Sequence, residues 1–109
     1  MIKEDQNMAF TETKGRYASY GTVSSIPGEI IDSFWFIIDN QLKGVIPLEP
    51  LINFELLNQK GLLSVKFSQP HNPLTLTVDF QYPFNNSWPR HFHAVDNNGK
   101  ETIISSQER

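Results

Sequence analysis

Between Ile26 and Leu42 the chain reads IPGEIIDSFWFIIDNQL, and no other stretch spaces its apolar residues as a long helix does. Ile30, Ile31, Phe34, Ile38 and Leu42 recur at intervals of three and four, with Trp35 and Ile37 flanking the stripe. Strand alternation cannot produce that period; one face of a helix does. Asp32, Ser33, Asp39 and Asn40 fall on the other side. Ser24 and Ser25 can cap the start, Pro27 suits the first turn, and Gly44 is a natural stop. Glu29 and Asp32 lie early and Lys43 late, as the helix dipole favours. Phe36 breaks the pattern. It is expected to point sideways or outward, against a loop, the N-terminal arm or a partner.

What surrounds the helix is strand-like. Residues 16–23 (RYASYGTV) read as a first strand running directly into it. After Gly44, prolines 47 and 50 mark a loop, because proline removes a donor and restricts its predecessor. Residues 51–57 then alternate, with Ile52, Phe54 and Leu56 on one side. Asn58-Gln59-Lys60-Gly61 is a hairpin turn signal, and Leu63, Val65 and Phe67 resume the alternation. A second turn spans Gln69 to Pro73. The clearest strand follows, with Leu74, Leu76, Val78, Phe80 and Tyr82 inward and Thr75, Thr77, Asp79 and Gln81 outward. Residues 90–95 and 101–105 complete the set, joined by Asp96-Asn97-Asn98-Gly99, where Asn-Gly can take positive φ. One apolar and one polar face per strand imply an antiparallel sheet covered on one side. The expected fold is α+β: a single helix on one face of a mainly antiparallel sheet, in the order β-α-β-β-β-β-β. With 109 residues it is one domain. Residues 1–14 are expected to form a flexible arm, and 15–109 the domain.

Composition excludes several classes of function. There is no cysteine, hence no disulfide, thiolate metal site or cysteine nucleophile, which fits a reducing cytoplasm. Net charge is −3, with five acids against two bases between residues 28 and 60. No basic run exists, so non-specific nucleic-acid binding is not expected. No apolar run approaches the ~20 residues that span a bilayer, and the first ten residues lack the apolar core of a signal peptide. Serines occur in no nucleophile-elbow context, and no glycine loop suits a phosphate.

Three constellations are chemically suggestive. His91 and His93, two apart on a strand, share a face and could both reach one metal ion, with Asp79 or His71 as a third ligand and Asp96 nearby. The alternative places both on the solvent face while Phe92 and Ala94 face the core. Glu49 and Glu55 can be imagined as a paired acid and base, although carboxylates in loops and on wet strand faces are ordinarily just solvated. Phe84, Trp88 and Arg90 lie in or beside one connection, PFNNSWP, and are residue types enriched at interface hot spots. They serve either a partner or packing over the sheet edge.

The run RYASYGTVSSIPGEIIDSFWFIID resembles the opening of a small domain-of-unknown-function family from low-GC Gram-positive bacteria and their mobile elements. Arg16-Tyr17, Gly21, Ile26-Pro27, Trp35 and Ile38-Asp39 carry the likeness, and Glu29 sits near the family's acid. Gly28 stands where the family has a bulkier residue. The closing HFHAVDNNGKETIISSQE resembles the family's final hairpin, whereas residues 44–82 show no clear match. The motif is structural and has no catalytic signature. The resemblance implies a non-enzymatic interaction protein without a cofactor, and a link to Cas9 inhibitors (anti-CRISPR proteins). In that reading Glu29, Asp32, Asp39, Glu49, Glu55 and Asp79 are the acids available to meet a basic surface of Cas9 or its guide-RNA complex. The alternatives are an accessory domain of other cellular role and a metal-dependent nuclease using His91 and His93. The expected state is a monomer or weak dimer.

Overall fold

A computed structural model describes residues 9–108. Six strands form one sheet in the order β1-β6-β5-β2-β3-β4, and a helix crosses one of its faces. The strands are β1 (Gly15–Ala18), β2 (Leu51–Gln59), β3 (Leu62–Gln69), β4 (Asn72–Pro83), β5 (His91–Asn97) and β6 (Lys100–Ser105). All neighbours are antiparallel except β1, which runs parallel to β6. The expected α+β architecture is therefore the observed one.

The long helix, α2 (Gly28–Ile37), continues into a wider, π-type turn over Ile38–Leu42. There Lys43 N–H donates to Ile38 O, five residues back, at 3.0 Å. The extra residue in the turn lets Ile37, Ile38 and Leu42 all face the sheet, each at most 1% exposed. Phe34 stacks on Phe54 of β2, with ring centroids 4.7 Å apart and planes 16° apart, and lies 5.6 Å from Phe92 of β5. The apolar stripe read from sequence is thus the lid of the core. Its cap differs from the expectation. Pro27 holds the N-cap position with no side-chain bond, whereas the hydroxyls of Ser24 and Ser25 donate backward to Gly21 O.

The first expected strand is shorter than predicted. It stops at Ala18, and Tyr20–Val23 forms a single helical turn, α1. Ser19 caps that turn, its Oγ accepting from Thr22 N–H at 3.2 Å. Glu108 closes over it from the other end of the chain, accepting from Ser19 Oγ, Gly21 N–H and Ser105 N–H. Those donors, Ser19 first, hold the Glu108 carboxyl below the usual glutamate range.

The mobile arm expected over residues 1–14 is corrected for its second half; residues 1–8 lie outside the described ones. Ala9 N–H donates to Leu48 O at 3.0 Å, and Phe10 N–H donates to Asp96 Oδ2 at 2.8 Å. The Phe10 ring is fully buried in the core. Further along, Lys14 N–H and Gly15 N–H both donate to Gly99 O. Gly99 is required twice over: its φ is +94°, and a Cβ there would meet Glu12 O at 2.6 Å. The hairpin turns form as read. Lys60-Gly61 and Asn98-Gly99 both take positive φ, the geometry of two-residue type I′ loops.

Candidate interaction surface

The two ends of the sheet meet α2 in different ways. At the β1 end the helix is clamped. Arg16 donates from Nη1 and Nη2 to the two carboxylate oxygens of Asp39, at 2.7 and 2.6 Å. Its Nε donates to Glu101 Oε1 at 2.9 Å, and its guanidinium lies 4.6 Å from the Trp35 ring centroid. Glu101, fully buried, also accepts from Thr13 Oγ1, and Lys43 stands 3.4 Å from Asp39. Arg16 holds the Asp39 carboxyl below the usual aspartate range, and the two carboxylates, Asp39 first, hold Arg16 more firmly protonated than an ordinary arginine. A planar fork that pairs bidentately and stacks on an indole is a role lysine cannot fill. The residues that carried the family likeness, Arg16, Trp35 and Asp39, are therefore the parts of this clamp.

At the β4 end α2 reaches less far. Leu63, Val65 and Phe67 of β3 are fully covered, but on β4 Leu76, Val78, Phe80 and Tyr82 are half-buried and Leu74 is 47% exposed. Phe36, 45% exposed, meets Phe80 edge to face at 6.4 Å. Its sideways direction, expected from the broken pattern, carries it to the rim of the sheet. Glu29 and Asp32 line the same outer side of α2 and are exposed. β4 is the last strand in the sheet, and among the described residues no strand pairs along its outer edge. The apolar rim built from Leu74, Phe80 and Phe36 was not legible in the sequence. Alternation identified the inward side of β4 but not how far one helix would cover it.

The aromatic connection turns inward instead of outward. Trp88 is 9% exposed, with its ring 6.2 Å from Tyr82 and 5.4 Å from Phe84, and Arg90 lies over Phe84 at 4.9 Å. Phe84 N–H donates to Gly61 O, and Leu56 N–H to Arg90 O, so both ends of the connection are tied down. Of the expected contact residues here, only Arg90 is exposed. Trp88 packs, as the alternative reading had it.

The remaining acids are dispersed. Glu49 accepts from His71 N–H, and its Oε1 lies 3.0 Å from His71 Nδ1, so it fastens the β3–β4 turn to the loop before β2. Glu55 lies on the opposite, uncovered face of the sheet, registered between His91 and Lys66. Asp79, on that same face, accepts from Ser64 Oγ. Glu49 and Glu55 are thus on different parts of the molecule and do not form an acid–base pair.

His91 and His93 do share the uncovered face, but they differ. His91 is exposed opposite Glu55, whereas His93 is 8% exposed and its Nδ1 lies 2.8 Å from Asn53 Oδ1. The expected third ligands are elsewhere: Asp79 is bonded to Ser64 and His71 to Glu49. Among the described residues no three histidines or carboxylates are grouped to hold a metal ion. Asp96 accepts from Phe10 and Gly99 N–H and serves the fold. No helix among the described residues is long and apolar enough to cross a membrane.

Comparison with known proteins gives consistent results. Residues 15–108 match a family described as staphylococcal protein of unknown function (DUF960), and the match includes the segment 44–82 that the sequence resemblance left open. A crystal structure of a protein of unknown function from Enterococcus faecalis superimposes with a TM-score of 0.85 at 43% identity, covering 87% of this chain and 90% of that one. Both sources are low-GC Gram-positive bacteria, as the resemblance implied. Neither description names an activity or a partner. No curated protein sequence matches the chain.

Proposed function

The chain belongs to the DUF960 family of staphylococcal proteins, and from that premise we propose that it is a non-catalytic protein-interaction domain that docks through the rim at the β4 end of the sheet. One observation carries the reading. A twelve-residue strand ends the sheet with its outer edge unpaired among the described residues, and the apolar row beside that edge is half-covered and continued by Phe36. An edge with exposed apolar side chains is a template for pairing with another chain; register shifts against β3 and the prolines at 73 and 83 blunt the two ends of this one and leave Leu76–Asp79 as its regular centre. Phe36 is large and aromatic, the type of side chain that anchors interfaces.

A photocrosslinking side chain placed at position 36, and separately at position 20, tests this in cells. Tyr20 is the comparison because it is 86% exposed and sits at the opposite end of the sheet. Adducts from position 36 and none from position 20 are expected. Adducts from position 20 alone, or from neither, would remove the proposal.

A narrower version makes Cas9 the partner. What supports it is the exposed Glu29 and Asp32 on the same side of α2 as Phe36, an acidic margin beside an aromatic anchor. Glu49, Glu55 and Asp79 do not contribute to that margin, and Asp39 is neutralised by Arg16 and Lys43. Co-purification with Cas9, with and without guide RNA, decides it: retention that is lost on joint Glu29→Lys and Asp32→Lys change is the expected result, and no retention in either form is the contrary one.

A further inference from the structure

We infer that the uncovered face of the sheet carries a small-molecule site for a polar α-amino acid, with the ligand's ammonium on Glu55 and its carboxylate on Lys66. The inference goes beyond the docking reading and does not depend on it, because it concerns the face of the sheet away from α2. It is a binding site only, with no covalent step.

Asn53, Glu55, Lys66, Ser68, Thr75 and His91 line a recess of about 250 Å³ on that face. Phe54 and Phe92 border it through their backbone, since their rings are buried in the core on the other side. Two rows of polar side chains cross it. In the first, Asn53 Oδ1 lies 2.8 Å from His93 Nδ1 and Asn53 Nδ2 donates to Ser68 Oγ at 3.5 Å, so the amide is held in place. In the second, His91, Glu55 and Lys66 are direct neighbours in register on three adjacent strands. Opposite charges so placed support a sheet when they pair. Among the described residues, however, none of these three makes a hydrogen bond or an ion pair. Glu55 and Lys66 are half-buried all the same, so each has given up part of its hydration without gaining a partner.

The order of the charges selects the ligand. A simple anion drawn to Lys66 is repelled by Glu55, and a simple cation drawn to Glu55 is repelled by Lys66. An apolar molecule would cover both charges and leave them unpaired. A molecule that carries an ammonium beside a carboxylate satisfies both at once, through charge-assisted hydrogen bonds. The amide of Asn53 and the hydroxyls of Ser68 and Thr75 then remain for a polar side chain on the ligand.

Titration of the nitrogen-15-labelled full chain with L-glutamine, read by amide NMR, tests the site. Saturable shifts are expected at Asn53, Glu55, Lys66, Ser68 and His91, with a Kd on the order of 1 mM, while the amides of Tyr20 and Phe36 hold still. Ammonium chloride and sodium acetate, each alone, should bind at least about tenfold more weakly. Glu55→Gln and Lys66→Gln should each weaken L-glutamine binding about tenfold, and unchanged spectra elsewhere will show that both variants are folded. The inference is overturned if L-glutamine gives no saturable shift, if ammonium or acetate alone reproduces it, or if both variants bind as the wild type does. None of these results bears on the docking reading, which stands or falls on the position-36 adducts.

Discussion

The two margins of the sheet have solved the same problem differently. At β1 the edge is short, and α2 is fastened to it by a bidentate arginine, a stacked indole and a buried glutamate. At β4 the edge is three times as long, and the outer side of the helix meets it through an edge-on aromatic contact, Phe36 on Phe80. A single helix cannot cover six strands, and its own side chains decide which end it serves. Trp35 and Asp39 point it toward β1, so the shortfall falls on β4. A sheet that has to leave one end incompletely covered can expose a polar strand or an apolar one, and this chain exposes an apolar one.

That asymmetry can be broken from the centre outward. Phe34→Ala removes the ring shared by Phe54 and Phe92 under the middle of α2. It should cost about 3–5 kcal/mol and lower the denaturant midpoint sharply without changing the m-value. Arg16→Ala breaks the clamp and leaves Glu101 buried without its cation. A loss of about 3 kcal/mol is expected, with Arg16→Lys recovering only part of it. Phe10→Ala also belongs near the upper end, because its ring is fully enclosed; a melting temperature unchanged by it would return residues 9–14 to the status of an arm.

Smaller effects belong to the β4 margin and to pH. Phe36→Ser, at a half-exposed position, should cost about 1 kcal/mol or less while abolishing adducts from residues flanking the rim. A loss as large as that at Phe34 would show Phe36 to be a core residue. The Asp39 carboxyl is depressed by Arg16, so the native state holds it ionised more readily than the unfolded chain does. Its contribution is present above the ordinary aspartate range of about 4 and is lost as pH falls below that through the depressed value. Glu108 acts in the same sense. Both groups are partly or wholly exposed, so the fall is modest and is reduced by salt. Urea titrations at neutral and acid pH should show a smaller acid loss in Asp39→Asn than in the wild type.

The sequence carried the parts of this structure that repeat. β2 to β6 and the stripe on α2 are periodic, and the Lys60-Gly61 and Asn98-Gly99 turns carry residues that tolerate positive φ. What it did not carry are single residues whose destination is set by distant chain. Phe10 has no periodic neighbours, yet Asp96, 86 residues away, anchors its backbone. α1 is one turn, too short for a period, and its stabilising carboxylate comes from Glu108. Trp88 sits in a loop, where nothing local determines whether a ring turns inward, and Tyr82 and Phe84 draw it in. Arg16, Trp35 and Asp39 were visible as a family pattern, but their convergence needed the parallel β1–β6 pairing, which no local signal announces. The β4 rim escaped for a different reason: alternation tells which side of a strand faces the core, and says nothing of how far the core's lid extends.

Photocrosslinking from position 36 against position 20 tests the central claim most directly. Adducts from position 36, at the β4 margin, with none from position 20, at the β1 end, are the predicted result. Adducts from position 20 alone, or from neither, would contradict it.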